Sequence, residues 1–90
     1  MLKTNEEINK LIDNCELDNA LLAIQERMVN EESDHLYYLR GKVFLKKNNW
    51  KSATDDFLMS QSLNPESPAT EQLMMIKEIM DFFNKDMYNQ

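Results

Sequence analysis

The residues here that could do chemistry are the single cysteine, Cys15, the single histidine, His35, and three adjacent carboxylate pairs, Glu6-Glu7, Glu31-Glu32 and Asp55-Asp56. A reactive cysteine needs a cation or helix terminus that favours its thiolate. No Lys, Arg or His adjoins Cys15 in sequence. Acid–base work by His35 needs convergent partners, and the sequence supplies none; its place in the first turn of a helix predicts a solvent-facing ring. Neighbouring helical residues point about 100° apart, so Asp55 and Asp56 do not form an acid–base pair. Glu6-Glu7 and Glu31-Glu32 read as helix-start and loop charges. There is no Gly-rich phosphate loop and no metal-ligand spacing. The expectation is a protein that is not an enzyme, with no cofactor and no metal.

The elements that carry these residues read as helices. The 90 residues suffice for one small domain. One Gly and two Pro leave little room for tight turns. The net charge of −6 disfavours non-specific binding to nucleic acid or to an anionic membrane. A lone cysteine allows no internal disulfide. With no apolar leader and no apolar run near membrane length, a soluble cytoplasmic protein is expected. Charge is unevenly spread: residues 35–54 hold five bases (Arg40, Lys42, Lys46, Lys47, Lys51) and no acid, between two segments in which acids dominate. Attraction between adjacent helices accounts for such a band; a basic binding face is the sharper alternative.

Thr4-Asn5-Glu6-Glu7 predicts a capping box, with Thr4 at the N-cap and Glu7 at N3. A first helix follows to Asp13 or Asn14. The second spans about Leu17 to Val29, with Leu17, Ala20, Leu21, Ile24 and Met28 as its apolar stripe. Ser33 caps a third helix from Asp34 to Lys47. Asn48-Asn49 makes a turn, and a fourth helix runs from Trp50 to about Leu63. Ser67-Pro68 starts a fifth, ending near Phe83 or Asn84. Leu17-x-x-Ala20-x-x-x-Ile24 recurs as Trp50-x-x-Ala53-x-x-x-Phe57, which marks an internal repeat.

The stretch Tyr37-x-x-Arg40-Gly41-x-x-Phe44, Trp50-x-x-Ala53-x-x-x-Phe57-x-x-Ser60 and Pro65 resembles one tetratricopeptide repeat. Gly41 and Ala53 lack bulk where two antiparallel helices would touch. The fold expected is all-α: antiparallel helix pairs of tetratricopeptide-repeat type forming an α-α superhelix, plus a C-terminal capping helix. Residues 1–33 form a degenerate repeat, 34–67 a good one, 68–84 the cap and 85–90 a polar tail that frays or folds back through Met87 and Tyr88.

The resemblance implies a concave groove lined by the first helix of each pair. Its positions fall on His35, Tyr38, Leu39, Lys42, Leu45 and Lys46, and on Asn5, Glu6, Asn9, Ile12 and Asp13. Of the family's clamp for chaperone tails only Asn9 is matched, so Asn9, Tyr38, Lys42 and Lys46 point to a different protein or peptide partner, acidic in character. A second surface is read on the fifth helix. Ala69, Leu73, Ile76, Met80 and Phe83 should pack on the fourth helix and its neighbours, which leaves Met75, Ile79 and Phe82 as a strip for a partner helix or for homo-oligomer formation. The expected function is a non-catalytic interaction module, an adaptor or scaffold. The alternative is a structural subunit that self-associates or completes a larger complex through this helix.

Overall fold

The computed structural model describes the backbone of residues 1–88 and the side chains of residues 1–83. It has five helices: α1 (Asn5–Asp13), α2 (Leu17–Met28), α3 (Asp34–Lys46), α4 (Trp50–Leu63) and α5 (Ala69–Tyr88). Packing runs between α1 and α2, α2 and α3, α1 and α3, α3 and α4, and α4 and α5. The helix boundaries follow local chemistry. Thr4 Oγ1 accepts from Glu7 N–H while Glu7 Oε1 accepts from Thr4 N–H, closing the capping box. Ser33 accepts from His35 N–H, and Asn49 accepts from Ser52 N–H. Cys15 and Asn48 take positive φ angles, 60° and 63°, where the chain reverses between helices. Asn enters this left-handed region at low cost; the Cys15 thiol is simply exposed there.

Two core clusters result. The first gathers Ile8, Ile12, Ala20, Ala23, Ile24, Leu36, Leu39 and Val43 from α1, α2 and α3. The second gathers Ala53, Phe57, Ala69 and Ile76 from α4 and α5, with Phe44, Leu45, Trp50 and Leu73 packed around them. Tyr38 touches both. The repeated positions behave alike: Ala20 and Ile24 in one copy, Ala53 and Phe57 in the other, are all inaccessible. Gly41 is buried against the ring of Phe57.

A hydroxyl relay joins α4 to α5. Ser60 Oγ donates to the Asp34 carbonyl at 2.7 Å and lies 2.7 Å from Ser67 Oγ, which accepts from Ala69 N–H. The start of α3, the end of α4 and the cap of α5 therefore meet at Ser60. Helix α5 begins one residue after Pro68 and runs four residues beyond Asn84. The expected polar tail is thus helical through Tyr88, because Lys85-Asp86-Met87 contains no helix breaker. The side chains of Met87 and Tyr88, read as folding back, lie outside the described residues, as do residues 89 and 90.

Two surface carboxylates make part of this stability depend on pH. The Thr4 backbone N–H, then its hydroxyl, holds Glu7 below the usual carboxylate range. The Lys47 ammonium does the same for Asp18, which it contacts at 2.7 Å. A depressed folded-state pKa gives stability that is present above the unfolded value and lost as pH falls through the folded one. The melting temperature should therefore hold from neutral pH to about 5 and fall below about pH 4. Glu7→Gln with Asp18→Asn should flatten that acid limb in calorimetric melts. An unchanged limb would place the acid sensitivity elsewhere.

Candidate functional site

Helices α1 and α3 lie side by side, so a residue from each can share one face. Asn9 stands one residue after buried Ile8, and Lys42 stands between buried Gly41 and Val43. Both side chains emerge half-buried at the seam. Lys42 Nζ donates to Asn9 Oδ1 at 3.1 Å and sits 5.4 Å from the centroid of the Tyr38 ring. The Tyr38 ring in turn lies 6.0 Å from Phe57 and 5.7 Å from His35. Burial raises the Tyr38 phenol above its ordinary pKa, and the nearby Glu71 carboxylate of α5 adds to the effect. Three of the four groove residues read from sequence, Asn9, Tyr38 and Lys42, thus meet directly. Lys46 is exposed one turn further along α3 and makes no ion pair among the described residues.

Other groove expectations are corrected. Leu39 and Ile12 are inaccessible core residues, because α3 turns that side toward α1 and α2. His35 is half-buried rather than solvent-facing, since Tyr38, three residues on, shares its side of the helix. Most of the basic band is spent inside the molecule. Arg40 grips Asp56 through two bonds of 2.8 Å, Lys47 reaches Asp18, and Lys51 lies 3.5 Å from Asp55. Attraction between helices explains Arg40 and Lys47; Lys42 and Lys46 make no ion pair among the described residues.

The α5 surface also differs from expectation. Ala69 and Ile76 are buried and Leu73 packs beside them, as read. Met80 and Phe83, expected to pack on α4, are exposed. Ile79, expected on the outer strip, is half-buried and lines an apolar hollow of about 390 Å³ with Trp50, Met80 and Phe83. Met75 and Phe82 are exposed, and the Phe82 and Phe83 rings meet edge to face at 5.7 Å. The hollow, built from α4's first residue and α5's distal half, was missed in the sequence. A width of apolar surface on α5 greater than one packing stripe was its only signal.

Among the described residues no cluster of His, Cys, Asp and Glu could hold a metal ion, and no helix is long and apolar enough to cross a membrane. The solution NMR structure of the Bacteroides fragilis protein BF1650 is similar to this chain, with 37% sequence identity and a TM-score of 0.83, covering 98% of this chain and 91% of that one. No protein-family model and no curated protein matches the chain.

Proposed function

We propose that this chain, which belongs to the same family as the Bacteroides fragilis protein BF1650, is a non-catalytic protein-interaction module that holds an acidic segment of a partner protein against α1 and α3. On this reading its helix pairs are of tetratricopeptide-repeat type, with α5 as a cap. The small residues Gly41 and Ala53, buried between α3 and α4, support that assignment. The observation that carries the function is the meeting of Asn9, Tyr38 and Lys42 across two helices. An ammonium has three N–H donors. One is directed to Asn9, and the Tyr38 face steadies the charge without consuming the others. The Asn9 amide N–H₂ adds a neutral donor beside it. Lys46 extends the positive track by one turn. Donors that converge with no carboxylate among their hydrogen-bond partners are suited to a carboxylate from outside.

Backbone and side-chain amide signals followed by NMR during titration with Asp/Glu-rich peptides, and with their Asn/Gln counterparts, test this. Only the acidic peptides should shift the Asn9 side-chain amide and the backbone from Tyr38 to Lys46. Lys42→Glu with Lys46→Glu should weaken binding by about tenfold or more, from roughly 1 kcal/mol per exposed pair at 1.4 kcal/mol per decade. Equal binding by that variant at low salt, or shifts confined to other helices, would overturn the assignment.

A further inference from the structure

The seam of Asn9, Tyr38 and Lys42 has a charge of opposite sign beside it. Buried hydroxyls tie the start of α5 to the start of α3. Ser60 Oγ donates to the Asp34 carbonyl at 2.7 Å and lies 2.7 Å from Ser67 Oγ, while Asn64 Nδ2 donates to Asp34 Oδ2 at 3.1 Å. Tyr38 follows Asp34 by four residues, and Glu71 follows Ser67 by four. Each therefore stands about one turn from the same junction. Tyr38 also packs on the cluster that contains Ala69 and Ile76 of α5. The exposed Glu71 carboxylate is accordingly close enough to act on the Tyr38 phenol.

Tyr38 thus lies between two charges. Lys42 Nζ sits 5.4 Å from the ring centroid and reaches toward Asn9 on α1. Glu71 approaches from α5 and makes no ion pair among the described residues. His35 and Phe57 pack against the same ring at 5.7 and 6.0 Å, which makes it the floor between Lys42 and Glu71. A run of acids seated on Lys42 would carry its next carboxylates toward Glu71, where like charges repel. A base at that point turns the same carboxylate into a partner. The two charges are separated by about one helix spacing, roughly 10 Å. An extended chain advances about 3.3 Å per residue, so about three residues bridge them.

We propose that the segment recognised at this seam is of mixed charge: an acidic residue held by Lys42 and Asn9, and a Lys or Arg about three residues away held by Glu71, with the residues between them lying over Tyr38. The proposal rests on the acidic-segment reading above and adds which acidic segments fit. Glu71 is then a specificity residue, because it disfavours the runs of acid that Lys42 alone would accept.

Peptides of the forms Asp-x-x-Lys, Lys-x-x-Asp, Asp-x-x-Gln and Asp-x-x-Asp, titrated into the full chain and followed by NMR, provide the test. All should shift the Asn9 side-chain amide, and only the lysine peptides should shift the side-chain carboxylate carbon of Glu71. The better of the two lysine orders should bind about three- to fivefold more tightly than Asp-x-x-Gln, the size of one exposed ion pair. Asp-x-x-Asp should bind less tightly than Asp-x-x-Gln. Glu71→Gln should erase the preference for lysine, and Glu71→Lys should reverse it in favour of Asp-x-x-Asp. Glu78→Gln removes the same charge from α5 about two turns further on and should leave the preference intact, which separates local pairing from net charge. Lysine peptides that bind no better than Asp-x-x-Gln while the Asn9 amide still shifts would overturn the mixed-charge proposal alone. So would a preference that survives Glu71→Gln or disappears in Glu78→Gln. An Asn9 amide unmoved by every peptide would overturn the acidic-segment reading and this proposal with it.

Discussion

Gly41→Ala will destabilise the domain by about 1–2 kcal/mol and Gly41→Leu by about 3 kcal/mol or more, as overpacking of a filled contact does. Ordinarily alanine in place of a helical glycine stabilises by up to about 1 kcal/mol. Here a Cβ on residue 41 would lie 2.5 and 2.6 Å from two ring carbons of Phe57. The ring is wholly inaccessible, in the cluster that also holds Ala53, Ala69 and Ile76. It can yield only by moving α4 or distorting its rotamer, so steric cost outweighs propensity. For a domain of this size each kcal/mol moves the melting temperature by about 4–8 °C. Phe57→Leu should relieve part of the loss: the double variant with Gly41→Ala should be less destabilised than the two single losses added together. A Gly41→Ala protein as stable as the parent would mean that α3 and α4 are not in van der Waals contact at this point.

Arg40→Met should cost about 2–4 kcal/mol. That is somewhat below the value for breaking a fully buried ion pair, because Arg40 keeps 26% of its side-chain surface while Asp56 keeps 8%. The guanidinium fork matches the Asp56 carboxylate through Nε and Nη2, rests 5.6 Å from the Tyr37 ring and touches Met28 Sδ through Nη1. The Asp56 carboxylate, through its hydrogen bonds first and its charge second, holds Arg40 above its ordinary pKa. Without Arg40, Asp56 is a carboxylate in the α3–α4 contact with no counter-ion. The double variant Arg40→Met with Asp56→Leu should recover most of the loss, since removing both charges avoids the stranded one. Arg40→Lys should be intermediate, having charge but no fork. Urea unfolding would measure all three. A single substitution no worse than the double would show that the ion pair contributes nothing to the fold.

These two sites also mark what the sequence disclosed and what it hid. Gly41 stood out because its neighbours follow a spacing with one packing interpretation, and the helices around it begin and end at side chains with clear local chemistry: Thr4, Ser33, Asn48, Asn49 and Ser67. Such signals act within a few residues. The partnership of Arg40 with Asp56 spans α3 and α4, and it depends on how deeply the ridges of one helix settle between those of the other. Read along the chain, Arg40 belonged to a basic band and Asp56 to a pair of neighbouring acids. The same limit explains Leu39 and Ile12, assigned to a groove but turned into the core. It also explains why the contact of Lys42 with Asn9 could not be foreseen. On α5 the excess apolar width was legible, but the hollow depended on how α4 and α5 settle against each other.

Tyr38 is the side chain common to both core clusters, and α3 supplies residues to each. The molecule thus has two linked cores rather than one centre. Loss of the α5 contacts uncovers Phe57 and Trp50 but leaves Ile8, Ile24 and Leu36 enclosed by α1, α2 and α3. Loss of α1 spares the packing of α4 on α5. The central helix is the keystone, and the modules at its two sides can diverge in sequence almost independently, provided that the phenol ring between them is kept.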